Sequence, residues 1–160
     1  MLKTIILFYS LTGNTAKVAE DMAKMLKADI EEIHETKERR GLWGYLTGLF
    51  TSLGGGGTDV EPPDHRFGDY DLVIVGSPVW ARQLAAPMRK FLEREKTSIS
   101  DHASFCLHSG LGFKRAQVVI DEVLGRPAAA RFDAKETDIR SEDYWKRLRK
   151  FCESLDAKPS

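Results

Sequence analysis

The segment Lys3-Thr4-Ile5-Ile6-Leu7-Phe8-Tyr9 has almost no polar face. A strand with one wet side alternates apolar and polar residues. A run that is apolar on both sides must be covered on both, as strands of a parallel sheet are. Leu72-Val73-Ile74-Val75 repeats the pattern, and Gly76-Ser77-Pro78 is read as its end. Ser104 to Leu107 predicts a further short strand, with weaker ones at Ala28 to His34 and Ala128 to Ala134. Between the strands the apolar period changes to that of a helix. Val18, Ala19, Met22, Met25 and Leu26 form one stripe, and Leu84, Met88, Phe91 and Leu92 another, with Pro87 in its first turn. Ala116, Val119, Ile120, Val123 and Leu124 form a third, stopped by Gly125 and Pro127. Behind a capping Ser141, Tyr144, Trp145, Leu148, Phe151, Cys152 and Leu155 form the last. Strands alternating with helices predict an α/β fold, a doubly wound five-stranded parallel sheet with helices on both faces. The order 2-1-3-4-5 and a short form of 3-2-1-4-5-6 both suit it.

At 160 residues one domain is expected over 1–160, large enough for a sizeable core. The 24 Lys and Arg balance 24 Asp and Glu, so no global field draws the chain to nucleic acid or anionic lipid. No apolar run reaches membrane-span length, and the N-terminus enters a strand pattern directly, unlike a signal peptide. Cys106 and Cys152 are too few for a disulfide framework or a zinc site. Reduced thiols in the cytoplasm are expected, with Cys106 an inert buried thiol and no metal. One connection, 37–63, is long and contains Gly54-Gly55-Gly56-Gly57. Leu42, Leu46, Leu49, Phe50 and Leu53 within it fit a crossover helix. Trp43 and Tyr45 beside that stripe also suit a flap that binds a partner near the ligand site.

Ligands of open parallel sheets bind beyond the carboxyl ends of the strands. Three loops meet that condition: Ser10 to Thr15, Gly76 to Arg82 and His108 to Gly112. In the first, a buried strand runs through Ser10-Leu11-Thr12-Gly13-Asn14-Thr15 into a helix. Hydroxyls and backbone N–H groups thus meet at the positive end of that helix, a phosphate site. A single capping hydroxyl would explain Ser10 or Thr12 alone, but not three clustered hydroxyls. No G-x-x-x-x-G-K-[ST] or G-x-G-x-x-G follows the first strand, which excludes a nucleotide-hydrolysing P-loop and a dinucleotide fingerprint. Receiver domains need carboxylates where this chain has Ser10 and Gly76-Ser77. Low-molecular-weight phosphatases need an Arg where Gly112 follows Cys106.

The pattern S-x-T-G-N-T resembles the FMN-phosphate loop of flavodoxins and flavodoxin-like reductases. Gly76-Ser77-Pro78-Val79-Trp80 is similar to the loop that contacts the isoalloxazine in that family. The resemblance spans nearly the whole chain and implies FMN as the cofactor. It implies that Ser10, Thr12, Asn14 and Thr15, with the N–H groups of Leu11 and Gly13, hold the phosphate. Trp80 would lie on the flavin ring, with Ser77, Pro78 and Val79 shaping that wall. The backbone of Ala81 and Arg82 would reach the N5 and O4 edge, and His108, Ser109 and Gly110 would face the pyrimidine side. His34, His65 and His102 are assigned to surface or loop.

Two functions follow from the resemblance. One is an electron-transfer protein working through FMN with a redox partner protein. The other is an FMN-dependent NAD(P)H reductase of a quinone or flavin. Classical flavodoxins are strongly acidic, whereas this chain is neutral. They place a Gly after the loop aromatic, where its peptide flips toward reduced N5; here Ala81 should resist a positive φ by about 1 kcal/mol. Arg82 stands where acids are common and should favour an anionic, fully reduced flavin. These departures lean toward two-electron chemistry. Against the reductase, no pyridine-nucleotide motif or second domain is visible, so the carrier is the first reading.

Overall fold

A computed structural model describes residues 2–36 and 59–156. Strand β1 (Thr4–Phe8) lies between β2 (Asp29–Glu32) and β3 (Leu72–Trp80), paired in parallel with both. The two-residue β4 (Gln83–Leu84) folds back antiparallel on the end of β3. Strands β5 (His102–His108) and β6 (Arg131–Lys135) extend the sheet beyond β3. The order is therefore β2-β1-β3-β5-β6, with β4 outside that path. Counting only the parallel strands, it is the expected 2-1-3-4-5, the doubly wound arrangement with its crossover reversal between β1 and β3.

Helices α1 (Asn14–Leu26), α2 (Ala86–Glu95), α3 (Phe113–Leu124) and α4 (Glu142–Asp156) cover the sheet. Successive strand residues point to opposite faces, so each apolar strand feeds two cores. Ile5, Leu7, Tyr9, Val73 and Val75 pack with Met88, Phe91, Ala116 and Ile120 of α2 and α3. Ile6, Phe8, Ile74 and Phe105 pack with Val18, Met22, Tyr144 and Leu148 of α1 and α4. Ser141 caps α4 as expected, its Oγ accepting from the Tyr144 N–H at 3.1 Å. Gly125 ends α3 in the left-handed region at φ 73°.

Strand β3 departs from expectation. It runs on through Gly76, Ser77 and Pro78 to Trp80 instead of ending in a loop. β1 stops pairing at Gly76, whose carbonyl accepts from Tyr9 N–H, while β5 stays in register as far as Pro78. Pro78 shares the parity of Gly76, so its missing N–H faces the side where β1 has ended. That is the one side of a strand where proline costs no ladder bond. Gly76 itself is required by close approach, because a Cβ there would fall 2.0 Å from Cζ of the buried Phe105.

Both sheet edges are covered by side chains. On β2, the buried Glu31 carboxylate accepts from the Asp64 and His65 N–H groups at 2.8 and 2.9 Å, and His65 Nδ1 lies 2.5 Å away. On β6, Arg147 donates to the Asp133 carbonyl at 2.8 Å, occupying an acceptor that would otherwise template another strand. The expected crossover helix and the glycine run lie outside the described residues. The two stems of that connection meet in an antiparallel bridge, Glu35 opposite Val60. Thr36 N–H donates to Asp59 O and Glu61 N–H to His34 O. Arg94 braces the returning stem through the carbonyls of Val60 and Glu61 at 2.9 and 2.7 Å.

Candidate functional site

The carboxyl ends of β1, β3 and β5 bring the three expected loops to one edge of the sheet. In the first, Ser10 is buried, and its Oγ accepts from the Gly13 and Ala16 N–H groups at 3.1 and 3.2 Å. That hydroxyl therefore ties the loop to the first turn of α1, a capping role, and the Gly13 N–H is committed to it. Gly13, the residue before the helix, sits at φ 89°, and the first turn of α1 contains no acid. The N–H groups of Thr12, Asn14 and Thr15 and the hydroxyls of Thr12 and Thr15 meet no hydrogen-bond partner among the described residues. Uncommitted donors at a helix N-terminus, where the peptide dipoles present positive charge, are the surroundings a phosphate needs.

The second loop shrinks to a two-residue turn. Val79 pairs with Leu84 and Trp80 with Gln83, leaving Ala81 and Arg82 to reverse the chain. Their φ angles are 47° and 64°, the pattern of a type I′ hairpin, which Asn-Gly fits best. The expected resistance of Ala81 to a positive φ is thus overcome here: hairpin pairing and packing impose that conformation. Gly112 supplies the packing. A Cβ there would lie 2.3 Å from Arg82 Cα, so only a glycine at φ 85° lets the two backbones touch. Ser77 and Pro78 are buried strand residues, and the Ser77 hydroxyl donates to the Pro78 carbonyl at 2.9 Å. The Ser77 hydroxyl is thereby committed to the backbone. Val79 and Trp80 are half-buried. The Trp80 ring stands edge-on to Tyr9, centroids 5.5 Å apart, and Tyr9 OH donates to Glu35 Oε1 at 2.6 Å.

In the third loop Ser109 is exposed and Gly110 half-exposed, but the His108 side chain turns inward. Its Nε2 is 3.1 Å from Asp133 Oδ2, and its ring stacks on Phe113 at 4.2 Å. A carboxylate only accepts, so Nε2 carries the proton, and Nδ1 is buried without a partner among the described residues. Only the backbone of His108 remains to face a ligand. His102 also departs from expectation. It is neither surface nor loop but buried at the start of β5, with Nε2 3.0 Å from Asp121 Oδ1. Burial lowers its pKa below the ordinary value, outweighing the Asp121 hydrogen bond. His34 is exposed, and His65 lies in the loop bonded to Glu31. Cys106 is fully buried, and burial pushes its thiol up to about 12, so it is inert as expected.

Sequence reasoning missed the Ala81–Arg82 turn, the Gly112 contact and the Tyr9–Glu35 bond. The two-residue spacing between Trp80 and Gln83 was the available signal, masked by the absence of Asn or Gly. Two surface clefts lie at the opposite, amino end of the strands: one of about 400 Å³ around Phe67 and one of about 370 Å³ between β6 and α4. Among the described residues no group of acids, histidines and cysteines is placed to hold a metal, and no helix is long and apolar enough to cross a membrane.

No family model matches the chain, and no curated protein does. Solved structures do. A flavoprotein of Lactobacillus acidophilus, in complex with FMN, is 24% identical with a TM-score of 0.68, over 91% of this chain and 99% of that one. A candidate flavoprotein of Bacteroides eggerthii is 16% identical with a TM-score of 0.77, over 99% and 100%. Oxidised flavodoxin 1 of Bacillus cereus is 19% identical with a TM-score of 0.59, over 98% and 99%. The chain has the flavodoxin-like fold.

Proposed function

We propose that this chain is a single-domain, FMN-binding electron-transfer protein. The observation that carries the reading is the donor set at the start of α1. Three backbone N–H groups, of Thr12, Asn14 and Thr15, and two threonine hydroxyls are uncommitted at the N-terminus of α1. This set fits a phosphate monoester. The Lactobacillus acidophilus flavoprotein is in complex with FMN on the same fold, which supports the choice of ligand.

When bound, FMN supplies reversible one- and two-electron redox chemistry; the chain binds and orients it. Thr12, Asn14 and Thr15 hold the phosphate, while Ser10 keeps the loop wound so that those donors converge. Trp80, braced edge-on by Tyr9, offers a rigid apolar face for an aromatic ring. The Ala81–Arg82 peptides and the backbone from His108 to Gly110 border the remaining edges. With both turn residues already at positive φ, the sequence-based case against one-electron carriage loses its backbone support. One observation favours the second reading, an FMN-dependent NAD(P)H reductase of a quinone or flavin. Arg82 is exposed and has no ionic partner among the described residues, so its charge is available to a reduced ring or an anionic substrate. Buried, reduced thiols suit a cytoplasmic setting for either.

Titration with FMN and riboflavin tests the cofactor. Hydrogen bonds to a charged phosphate are worth about 1.5–3 kcal/mol each, so Thr12→Ala and Thr15→Ala should each weaken FMN by roughly tenfold to a hundredfold. Riboflavin, lacking the phosphate, should bind the variants as it binds the parent. Equal losses for both flavins would refute the phosphate assignment. NAD(P)H oxidation by the loaded protein, with and without a quinone, then separates carrier from reductase.

A further inference from the structure

The zero net charge conceals a local imbalance beside the site. Arg82, at the tip of the β3–β4 hairpin, is in backbone contact with Gly112 and is exposed. Two and three residues past that contact, Lys114 and Arg115 stand exposed on the first turn of α3, which contains no acid. Arg82 and Lys114 have no ionic partner among the described residues. Arg115 reaches Glu122 at 2.9 Å, but both side chains are more than half exposed, so solvent screens the pair. Next to Gly112, Leu111 is 64% exposed, the most exposed large apolar side chain among the described residues. Of the acids at the same end, Glu35 accepts from Tyr9 OH at 2.6 Å. Glu136 and Asp138 occupy the turn after β6, and Asp133 is engaged by His108 and Arg147. The hairpin and the first turn of α3 therefore present three cations and an exposed leucine with no acid among them, whereas the end of β6 and the turn after it mix Lys135 with Glu136 and Asp138.

We propose that Arg82, Lys114 and Arg115, with the neighbouring Leu111, form the docking surface for a redox partner protein with an acidic face. The proposal rests on the reading of the adjacent loops as a flavin site, because docking there brings the partner to the cofactor's edge. Charge complementarity selects the occupant. Cations at a rim steer an acidic surface during encounter and repel a basic one, and an exposed leucine offers the dry contact that outlasts encounter. A chain with no net charge has no global field to override such a patch.

The test uses one haem protein in two charge states: native cytochrome c, which is basic, and its lysine-succinylated form, which is acidic. The FMN-loaded full chain is photoreduced with a sacrificial amine, and each ferric haem takes up one electron. At 10 mM ionic strength the succinylated form should be reduced about tenfold faster than the native form, and the preference should shrink at 200 mM. Lys114→Glu with Arg115→Glu should abolish or invert it while leaving FMN affinity unchanged. Leu111→Ser should weaken docking of both forms without changing their ratio. In parallel, chemical-shift mapping of the apo chain with the succinylated protein should perturb Arg82 and Leu111 to Arg115. Faster reduction of native cytochrome c, or a preference untouched by the double variant, would overturn the proposal. So would NADPH or inorganic phosphate saturating the same residues at micromolar concentration with no selectivity between the haem proteins. If FMN fails to bind while the apo chain still selects the acidic probe through these residues, the cofactor reading falls and the docking surface stands.

Discussion

The hairpin at Ala81–Arg82 is the least comfortable backbone near the site, which makes it the sharpest place to test the structure. Both residues occupy the left-handed region, at φ 47° and 64°, where a side chain crowds the following carbonyl by about 1–2 kcal/mol per residue. Replacing Arg82 by Gly removes that crowding. It also frees the unfolded chain, which returns about 0.5–1 kcal/mol of the gain. The net expectation is about 0.5–1 kcal/mol of stabilisation. Adding Ala81→Asn, a residue that tolerates the same region, should bring the total to about 1–2 kcal/mol. For a chain of this length 1 kcal/mol shifts the melting temperature by about 2–4 °C, so the double variant should melt about 2–8 °C higher. Thermal unfolding of the apo chain followed by far-ultraviolet circular dichroism reads the shift, and urea midpoints at constant m check that it is stability. A double variant that melts at or below the parent would refute the type I′ assignment. The turn would then have another geometry in which Ala and Arg are at ease.

The remaining expectations concern neighbouring packing and buried titratable groups. Gly112→Ala sets a methyl against the Arg82 backbone at 2.3 Å and strains a φ of 85°, so it should cost about 2–4 kcal/mol in urea unfolding; a neutral substitution would mean the two loops do not touch. Since the native pKa of His102 is lowered from 6.5, the unfolded chain binds the extra proton. Its contribution is then fully present above that pH and is lost as pH falls toward the native pKa, at no more than about 1.4 kcal/mol per pH unit. Unfolding at pH 7.5 and 5.5 should show a smaller acid loss in His102→Gln than in the parent, and identical losses would remove His102 from the account. The thiols of Cys106 and Cys152, both pushed up to about 12 by burial, should resist a thiol reagent at pH 8 in the native chain and react on denaturation. Rapid native labelling would contradict that burial.

The architecture was legible because its signals are local. Thr4 to Tyr9 and Leu72 to Val75 carry no polar face, and no partner is needed to see that such strands require cover on both sides. The helical stripes, Ser141 as a cap and Gly125 as a stop are equally local, and each stands where expected. So does S-x-T-G-N-T, because a strand, a hydroxyl-rich turn and a helix start are contiguous in the chain. Where long-range packing decides conformation, the sequence was silent or misleading. Proline at 78 reads as a strand end; it is harmless only because β1 stops two residues earlier in the register, a fact of the sheet. Ala81 and Arg82 look unfit for a left-handed turn and are held in one by Gly112, thirty positions further along the chain. His102 looks unpartnered because Asp121 arrives from another element, and His108 looks free to face a ligand because Asp133 does too. The 24-to-24 charge balance describes the whole chain, and only the fold could bring Arg82 beside the α3 start that carries Lys114 and Arg115. Composition sums over positions, whereas fields and packing depend on where those positions meet in space.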